Sequence, residues 1–180
     1  MKSRSISCLA HSVWLIGPSY QLSAISYQLS AISYQLSAMT YIDIHTHILP
    51  GVDDGPSTLE ESLEMARIAV EDGISIMVAT PHCLNGVYVN WRQDILSACA
   101  EFNSALGEAH IPLTVLPGSE VHLSPEIIDA LENNRLMTLN NMGRYLCLEL
   151  PSQFIRKSVI RLINQFRHMG ITPIIIVLVL

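Results

Sequence analysis

From Tyr41 onward, short apolar runs alternate with longer stretches in which apolar residues recur every three or four positions. This alternation predicts parallel β-strands joined by helices, because a parallel connection needs a long crossover that is usually a helix. We predict about five parallel strands from this pattern, over residues 41–45, 74–80, 111–116, 145–150 and 171–180. The fold class is therefore α/β, as an open doubly wound sheet or as part of a barrel.

Capping residues place the predicted helices between these strands. The segment Ser57-Thr58-Leu59-Glu60 has the spacing of a capping box, and Gly73 is expected to end the helix that follows. Residues 39–180 are fewer than the ~250 that a complete β/α barrel usually takes, so a barrel would be a partial one. We expect three further helices. The first begins with Asn90 and Gln93 as its capping pair and runs to about Ala109, and the second begins at Ser124-Pro125. The third covers residues 152–169 and ends at Gly170.

Residues 19–39 repeat one heptad three times, as SYQLSAI, SYQLSAI and SYQLSAM. The outer Ser and Gln positions repeat unchanged, whereas the outer positions of a selected coiled coil tolerate drift. This pattern is typical of duplicated DNA. We therefore predict that residues 1–38 are a non-domain N-terminal extension with a heptad-like repeat, that Met39 is the working start, and that residues 39–180 form the domain.

Composition excludes several classes of protein. The chain has 10 Lys and Arg against 16 Asp and Glu, so it lacks the basic surface that nucleic-acid binding requires. No apolar run reaches the roughly 18 residues of a transmembrane helix, and we expect no membrane insertion. The four Cys form no C-x-x-C pair, and none is followed six positions later by the Arg of a cysteine phosphatase. Such a Cys pattern favours a reduced, cytoplasmic protein.

Side chains that can bind a metal lie at the ends of three predicted strands. His45 and His47 are two residues apart, so strand alternation points both imidazoles to the same side. His82 follows the second strand, and Glu120 follows the third. Parallel α/β folds gather their active sites at the carboxyl ends of the strands. Because mixed imidazole and carboxylate ligands suit Zn, Mn or Fe, the sequence predicts a hydrolytic metal centre.

Four other polar residues have more than one interpretation. Asp53 and Asp54 can fold a carboxylate over the end of the first strand, although Asp-Asp-Gly is also a common turn. His122 is better explained as an exposed loop histidine than as a ligand. Glu149 ends a predicted strand and either faces the site or makes a structural hydrogen bond. We assign no catalytic residue from the sequence.

The first predicted strand and its loop, Tyr41–Gly55, resemble the opening of the polymerase-and-histidinol-phosphatase (PHP) superfamily. The segments Leu59–Ala66, Ala79–His82 and Gly118–Glu120 narrow the resemblance to the bacterial manganese-dependent tyrosine-protein phosphatases of capsule and exopolysaccharide loci. The resemblance covers residue 39 to about residue 175. It implies a distorted seven-stranded β/α barrel, of which this chain would form the N-terminal part, a partial PHP-type (β/α)7 TIM-like barrel.

The same resemblance implies a ligand set and an activity. Phosphotyrosine would be hydrolysed by a metal-activated hydroxide, with a cognate bacterial tyrosine kinase as the protein substrate and with no nucleic-acid partner. The cofactor would be two or three divalent ions, Mn2+ by resemblance, with Fe or Zn as alternatives, and Glu120 would bridge two of them. The implied metal ligands are His45, His47, Asp54, His82 and Glu120.

The chain departs from the family pattern after Ile175. The family continues there with an Ala-His-Pro-Glu-Arg segment and later with an Asp-x-His pair, whereas residues 176–180 read Ile-Val-Leu-Val-Leu. We therefore expect incomplete metal loading and little phosphatase activity from this chain. Two alternatives stay open: another PHP phosphoesterase, acting on histidinol phosphate or a nucleic-acid end, and an inactive fragment that assembles through the heptads.

Overall fold

The computed structural model describes Ser26 and residues 40–150 and 157–176. The chain divides into two units, Met1–Met39 and Thr40–Leu180, and every element named below belongs to the second. Apart from Ser26, the predicted extension with its heptads lies outside the described residues. The same holds for two smaller predictions, the helix start over 152–156 and the end of the last strand over 177–180.

Strands and helices alternate along the second unit. No helix in the described ranges is long and apolar enough to cross a membrane. The strands in those ranges are β1 (Tyr41–Thr46), β2 (Ile74–Ala79), β3 (His82–Cys83), β4 (Thr114–Pro117), β5 (Glu120–His122), β6 (Tyr145–Glu149) and β7 (Thr172–Ile176). The helices are α1 (Leu59–Glu71), α2 (Arg92–Glu108), α3 (Ile127–Glu132) and α4 (Lys157–His168), with a 3-10 turn at Leu139–Asn141.

The strands form two sheets in which every pairing is parallel. The first has the order β1-β2-β4 and the second the order β3-β5-β6-β7. An α/β fold with parallel strands is therefore confirmed. The chain passes from the first sheet to the second at two points, between β2 and β3 and again between β4 and β5.

The prediction of about five strands is wrong for the described residues, which contain seven. Two predicted strands are each followed by a second strand of two or three residues, too short to carry a hydrophobic period. Pro81 separates β2 from β3, because proline lacks the N–H that would continue the ladder. Gly118 separates β4 from β5, and a Cβ there would lie 2.8 Å from Val78 Cγ1.

Each sheet has its own apolar cluster. The first cluster includes the fully buried Phe102 of α2 and Val115 of β4, together with Ile48 and Leu49 just after β1. The second includes Phe166 of α4 and residues of β5, β6 and α3. Burial of these side chains on one face of each helix supplies the main favourable free energy of folding.

The N-cap residues of these helices differ from the predicted caps by one or two positions. Thr58, and not Ser57, caps α1, and Glu61 completes the capping box by accepting the Thr58 N–H at 3.1 Å. Asn90 does not cap α2; its amide donates to Val52 O at 3.1 Å and to His82 O at 2.9 Å. α3 begins at Ile127, after the predicted Ser124-Pro125.

The glycine stops agree with the prediction. Gly73 follows α1 with φ +87°, and Gly170 follows α4 with φ +77°. Glycine adopts this left-handed backbone without the steric penalty that a Cβ brings.

Three cysteines of the described ranges, Cys83, Cys99 and Cys147, are free and buried. Burial raises the pKa of Cys83 to about 11 and those of Cys99 and Cys147 to about 12. The thiols are therefore protonated at neutral pH and pack as small apolar side chains.

Candidate metal centre

Histidines and carboxylates from both sheets meet around one cavity of about 350 Å³. His45 lies near the end of β1, and His47 follows that strand. His82 and Glu120 begin β3 and β5 and are paired directly in the second sheet. The structure thus brings together all the sequence-predicted ligands, since the cavity is lined by His45, His47, Asp54, Gly55, His82 and Glu120.

Glu120 lies at the centre of the cluster and is only 1% exposed. Its Oε2 is 3.1 Å from His47 Nε2, 3.4 Å from His82 Nδ1 and 3.6 Å from His45 Nε2. Burial acts to raise the pKa of Glu120, but the hydrogen bond with His47 and the neighbouring imidazoles outweigh it and lower the pKa. An ionised carboxylate therefore faces three imidazoles.

A second carboxylate, Asp53, orients His47 from behind. Asp53 Oδ2 is 2.6 Å from His47 Nδ1, and its carboxylate also accepts the backbone N–H groups of His82 at 2.9 Å and Gly55 at 3.0 Å. Burial acts to raise the pKa of Asp53, but these hydrogen bonds, the one with His47 first, lower it. Burial likewise acts to lower the pKa of His47, but hydrogen bonds with Asp53 and Glu120 raise it to about 10.

Asp54 faces the cavity from its open side. Its side chain is 62% exposed, and Oδ1 lies 3.5 Å from His82 Nε2 and 3.8 Å from His47 Nδ1. The next residue must be glycine, because a Cβ at Gly55 would lie 2.4 Å from the carbonyl oxygen of His47. This close approach folds the Asp-Asp-Gly turn over the end of β1, so that one carboxylate reaches the back of His47 and the other reaches the cavity.

Glu149 also reaches the cluster. The sequence had left open whether this side chain faces the site or makes a structural hydrogen bond. It ends β6, and its Oε2 is 3.8 Å from His82 Nδ1 and 3.2 Å from His122 Nδ1. The pairing of His122 with Glu149 in neighbouring strands places these two side chains together. The sequence signal for Glu149 was its position at a strand end, while Asp53 gave no signal that distinguished it from Asp54.

The donor atoms form three overlapping groups in which all atoms lie within 4.8 Å of one another. Such spacing allows each group to surround one cation with imidazole and carboxylate donors, a set that suits Mn, Fe and Zn. The groups are His45, His47 and Glu120; His47, Asp54 and His82; and His82, Glu120 and Glu149.

Two buried atoms of the cluster test whether these residues fit a metal. Within the described part of the chain, His82 Nδ1 and Glu120 Oε1 have no hydrogen-bond partner. A buried polar atom without a partner costs about 1–3 kcal/mol, and a cation would satisfy both. The residues present therefore fit a divalent metal ion.

Comparison with known proteins gives a consistent family. Residues 41–178 match the family described as capsular polysaccharide synthesis, CpsB/CapC. The tyrosine-protein phosphatase YwqE of Bacillus subtilis (strain 168) is 39% identical over 134 residues, 74% of this chain and 52% of that protein. The putative tyrosine-protein phosphatase CapC of Staphylococcus aureus is 32% identical, with the same two coverages.

A solved structure supports the same assignment. It comes from work on YwqE from Bacillus subtilis and CpsB from Streptococcus pneumoniae, described as unique metal-dependent tyrosine phosphatases, and matches with a TM-score of 0.71 at 38% identity. The match covers 75% of this chain and 54% of that one, so the chain spans about half the length of the relatives it matches. The resemblance seen in the sequence is confirmed: this chain belongs to the CpsB/CapC family.

Proposed function

We propose that this chain acts as a metal-dependent protein-tyrosine phosphatase, with metal ligands His45, His47, Asp54, His82 and Glu120. The observation that carries the proposal is the convergence of three imidazoles within 3.6 Å of the buried Glu120 Oε2. The names of the relatives supply the substrate class, since YwqE and CpsB are tyrosine-protein phosphatases.

The residues around the cavity divide the work of holding divalent ions. Glu120 offers Oε2 to three imidazoles while Oε1 has no partner in the described ranges, an arrangement that suits a bridge between two cations. Asp53 keeps the Nδ1 atom of His47 occupied, which leaves Nε2 directed at Glu120. Bound divalent ions would supply Lewis-acid chemistry, lowering the pKa of water and stabilising negative charge on a transferring phosphoryl group.

Several finer features belong to the same proposal. The parallel strands, with β1 ending at the cluster, support a partial PHP-type (β/α)7 barrel. Three overlapping donor groups support two or three ions, for which we propose Mn2+.

We further propose a phosphorylated bacterial tyrosine kinase as substrate. We also propose a cytoplasmic location, which the free thiols support. The division of the chain after Met39 supports an extension over residues 1–38 and a PHP phosphatase domain over 39–180.

The test is phosphate release by the purified 180-residue chain. With Mn2+ present we expect release from a phosphotyrosine peptide, at the low rate that the sequence predicts, and no release with EDTA. Glu120→Gln should lower the rate to the EDTA background, because the amide lacks the charge that faces the three imidazoles. Glu64→Gln is the matched control, since Glu64 lies on the surface of α1 and pairs with Arg67.

Three results would contradict the proposal. One is the same rate with and without Mn2+, and another is full activity in Glu120→Gln. The third is hydrolysis of histidinol phosphate in preference to phosphotyrosine peptide, which would assign the cluster to another phosphoesterase reaction.

A further inference from the structure

We infer that Thr80 is a positioning residue for the metal centre: its hydroxyl fixes the imidazole of His45 with the proton on Nδ1 and the lone pair of Nε2 facing Glu120. The inference rests on the metal centre of the proposed function and extends it to a residue that ligates nothing. Thr80 is fully buried, and its Oγ1 lies 2.9 Å from His45 Nδ1.

The position of Thr80 follows from the chain on either side of it. Thr80 comes directly after β2, and its backbone N–H donates to Thr46 O at 2.8 Å across the gap between β1 and β2. Pro81 follows, and a residue before proline is restricted to extended backbone. The β-branched side chain of threonine is itself stiff about χ1. The hydroxyl is therefore held at one place beside the end of β1.

The hydrogen bonds around this hydroxyl allow His45 Nδ1–H to be the donor of the bond between the two side chains. The backbone N–H of Thr46 donates to Thr80 Oγ1 at 3.1 Å, so one acceptor site of the hydroxyl is used. The hydroxyl can donate its own proton to the Thr46 carbonyl oxygen, 3.4 Å away. The second acceptor site then receives Nδ1–H of His45. In this arrangement the hydroxyl uses its donor and both of its acceptor sites.

The far side of the ring agrees with this tautomer. His45 Nε2 is 3.6 Å from Glu120 Oε2, which is longer than an N–H···O hydrogen bond, so Nε2 donates no proton there. An imidazole that ligates through Nε2 must carry its proton on Nδ1, and a partner on Nδ1 fixes both the tautomer and the ring orientation. Asp53 is such a partner at Nδ1 of His47, and Thr80 is one at Nδ1 of His45.

The experiment compares Thr80→Val, Thr80→Ser and Thr138→Val in the 180-residue chain. Valine keeps the shape of threonine and removes the hydroxyl, whereas serine keeps the hydroxyl. Thr138 is the matched control, because it is a buried threonine whose hydroxyl accepts a backbone N–H, that of Gly143 at 2.9 Å, and it does not line the cavity. The probes are Zn2+ binding by calorimetry, the nitrogen chemical shifts of His45 in the Zn2+-loaded chain, and thermal unfolding without metal.

We expect Thr80→Val to weaken Zn2+ binding about 10- to 100-fold, the usual loss when a residue that orients a ligand is removed. Thr80→Ser should keep the affinity near the wild-type value. Thr138→Val should lower the unfolding temperature without changing the affinity. The wild-type chain should show a protonated Nδ1 on His45.

The inference is overturned if Thr80→Val binds Zn2+ as tightly as the wild-type chain, if Thr80→Ser binds as weakly as Thr80→Val, or if His45 carries its proton on Nε2 in the loaded chain. Loss of affinity in Thr138→Val as large as in Thr80→Val would overturn it as well, because the effect would then be one of general stability. None of these three probes measures phosphatase activity. A chain that binds Zn2+ in this Thr80-dependent way and releases no phosphate therefore contradicts the proposed function and supports this inference.

Discussion

The two sheets contribute to the polar cluster in different ways. On the side of the first sheet, His45 and His47 are each held through Nδ1 by a group that lies outside the cavity, the Thr80 hydroxyl or the Asp53 carboxylate. On the side of the second sheet, His82 and Glu120 present buried atoms that have no hydrogen-bond partner among the residues described. The groups that orient the histidines thus lie on the side of the first sheet, and the buried atoms without a hydrogen-bond partner among the described residues lie on the side of the second.

The largest effect tests whether the two sides depend on each other for folding. Phe102→Ala and Phe166→Ala each remove a fully buried ring from a different apolar cluster. Each should lower the free energy of unfolding by about 3–5 kcal/mol. Because both clusters lie within one compact unit, denaturant unfolding followed by far-UV circular dichroism should show a single transition in both variants. Two separate transitions would mean that the sheets are independent and that the cluster joins two folding units.

A smaller effect tests whether orientation really resides on the side of the first sheet. Asp53→Asn keeps the shape of the side chain and removes the charge that faces His47, so the affinity for Mn2+ measured by calorimetry should fall about 10- to 100-fold. The same chemical change at Asp129, an exposed residue that pairs with Arg135, should leave the affinity unchanged. Equal losses in the two variants would remove the distinction between a group that orients a ligand and any other carboxylate.

The smallest expected effect tests whether metal binding depends on the stability of a helix that packs on the first sheet. Thr58→Ala removes the hydroxyl that accepts the Glu61 N–H at 3.3 Å and so breaks the capping box of α1. The free energy of unfolding should fall by about 1 kcal/mol, as for other N-cap substitutions. Mn2+ affinity should not change, because Thr58 neither lines the cavity nor belongs to the donor groups. A parallel loss of metal affinity would show that the cluster responds to helix stability and not only to the residues that touch the histidines.

The sequence predicted the longer elements well because their periods are clear. β1, β2 and β6 begin at the predicted residues, and each ends within one residue of its predicted end. β3 and β5 could not be predicted, because strands of two or three residues contain no period. The capping box of α1 was shifted by one residue, since Ser57 and Thr58 are both good caps and each precedes a Glu at the right spacing.

The site was predicted in its outline and not in its division of roles. The alternation of side chains along β1 predicted that His45 and His47 point to the same side. The positions of His82 and Glu120 at the ends of predicted strands indicated that they belong to the same site. Asp53 and Asp54 are adjacent carboxylates, however, and only the folded turn makes one 1% and the other 62% exposed. That difference depends on the close approach of Gly55 to His47, a tertiary contact with no local pattern. As metal ligands, the five residues remain predictions.

The burial of the three thiols has a practical consequence for handling the protein. Alkylating reagents and peroxide react with the exposed thiolate, and Cys83, Cys99 and Cys147 are neither exposed nor ionised while the core is closed. Labelling of these cysteines by iodoacetamide therefore reports the opening of the interior. Cys99 lies in the first apolar cluster and Cys83 in the second, so a peptide map of the labelled chain shows which sheet loosens first.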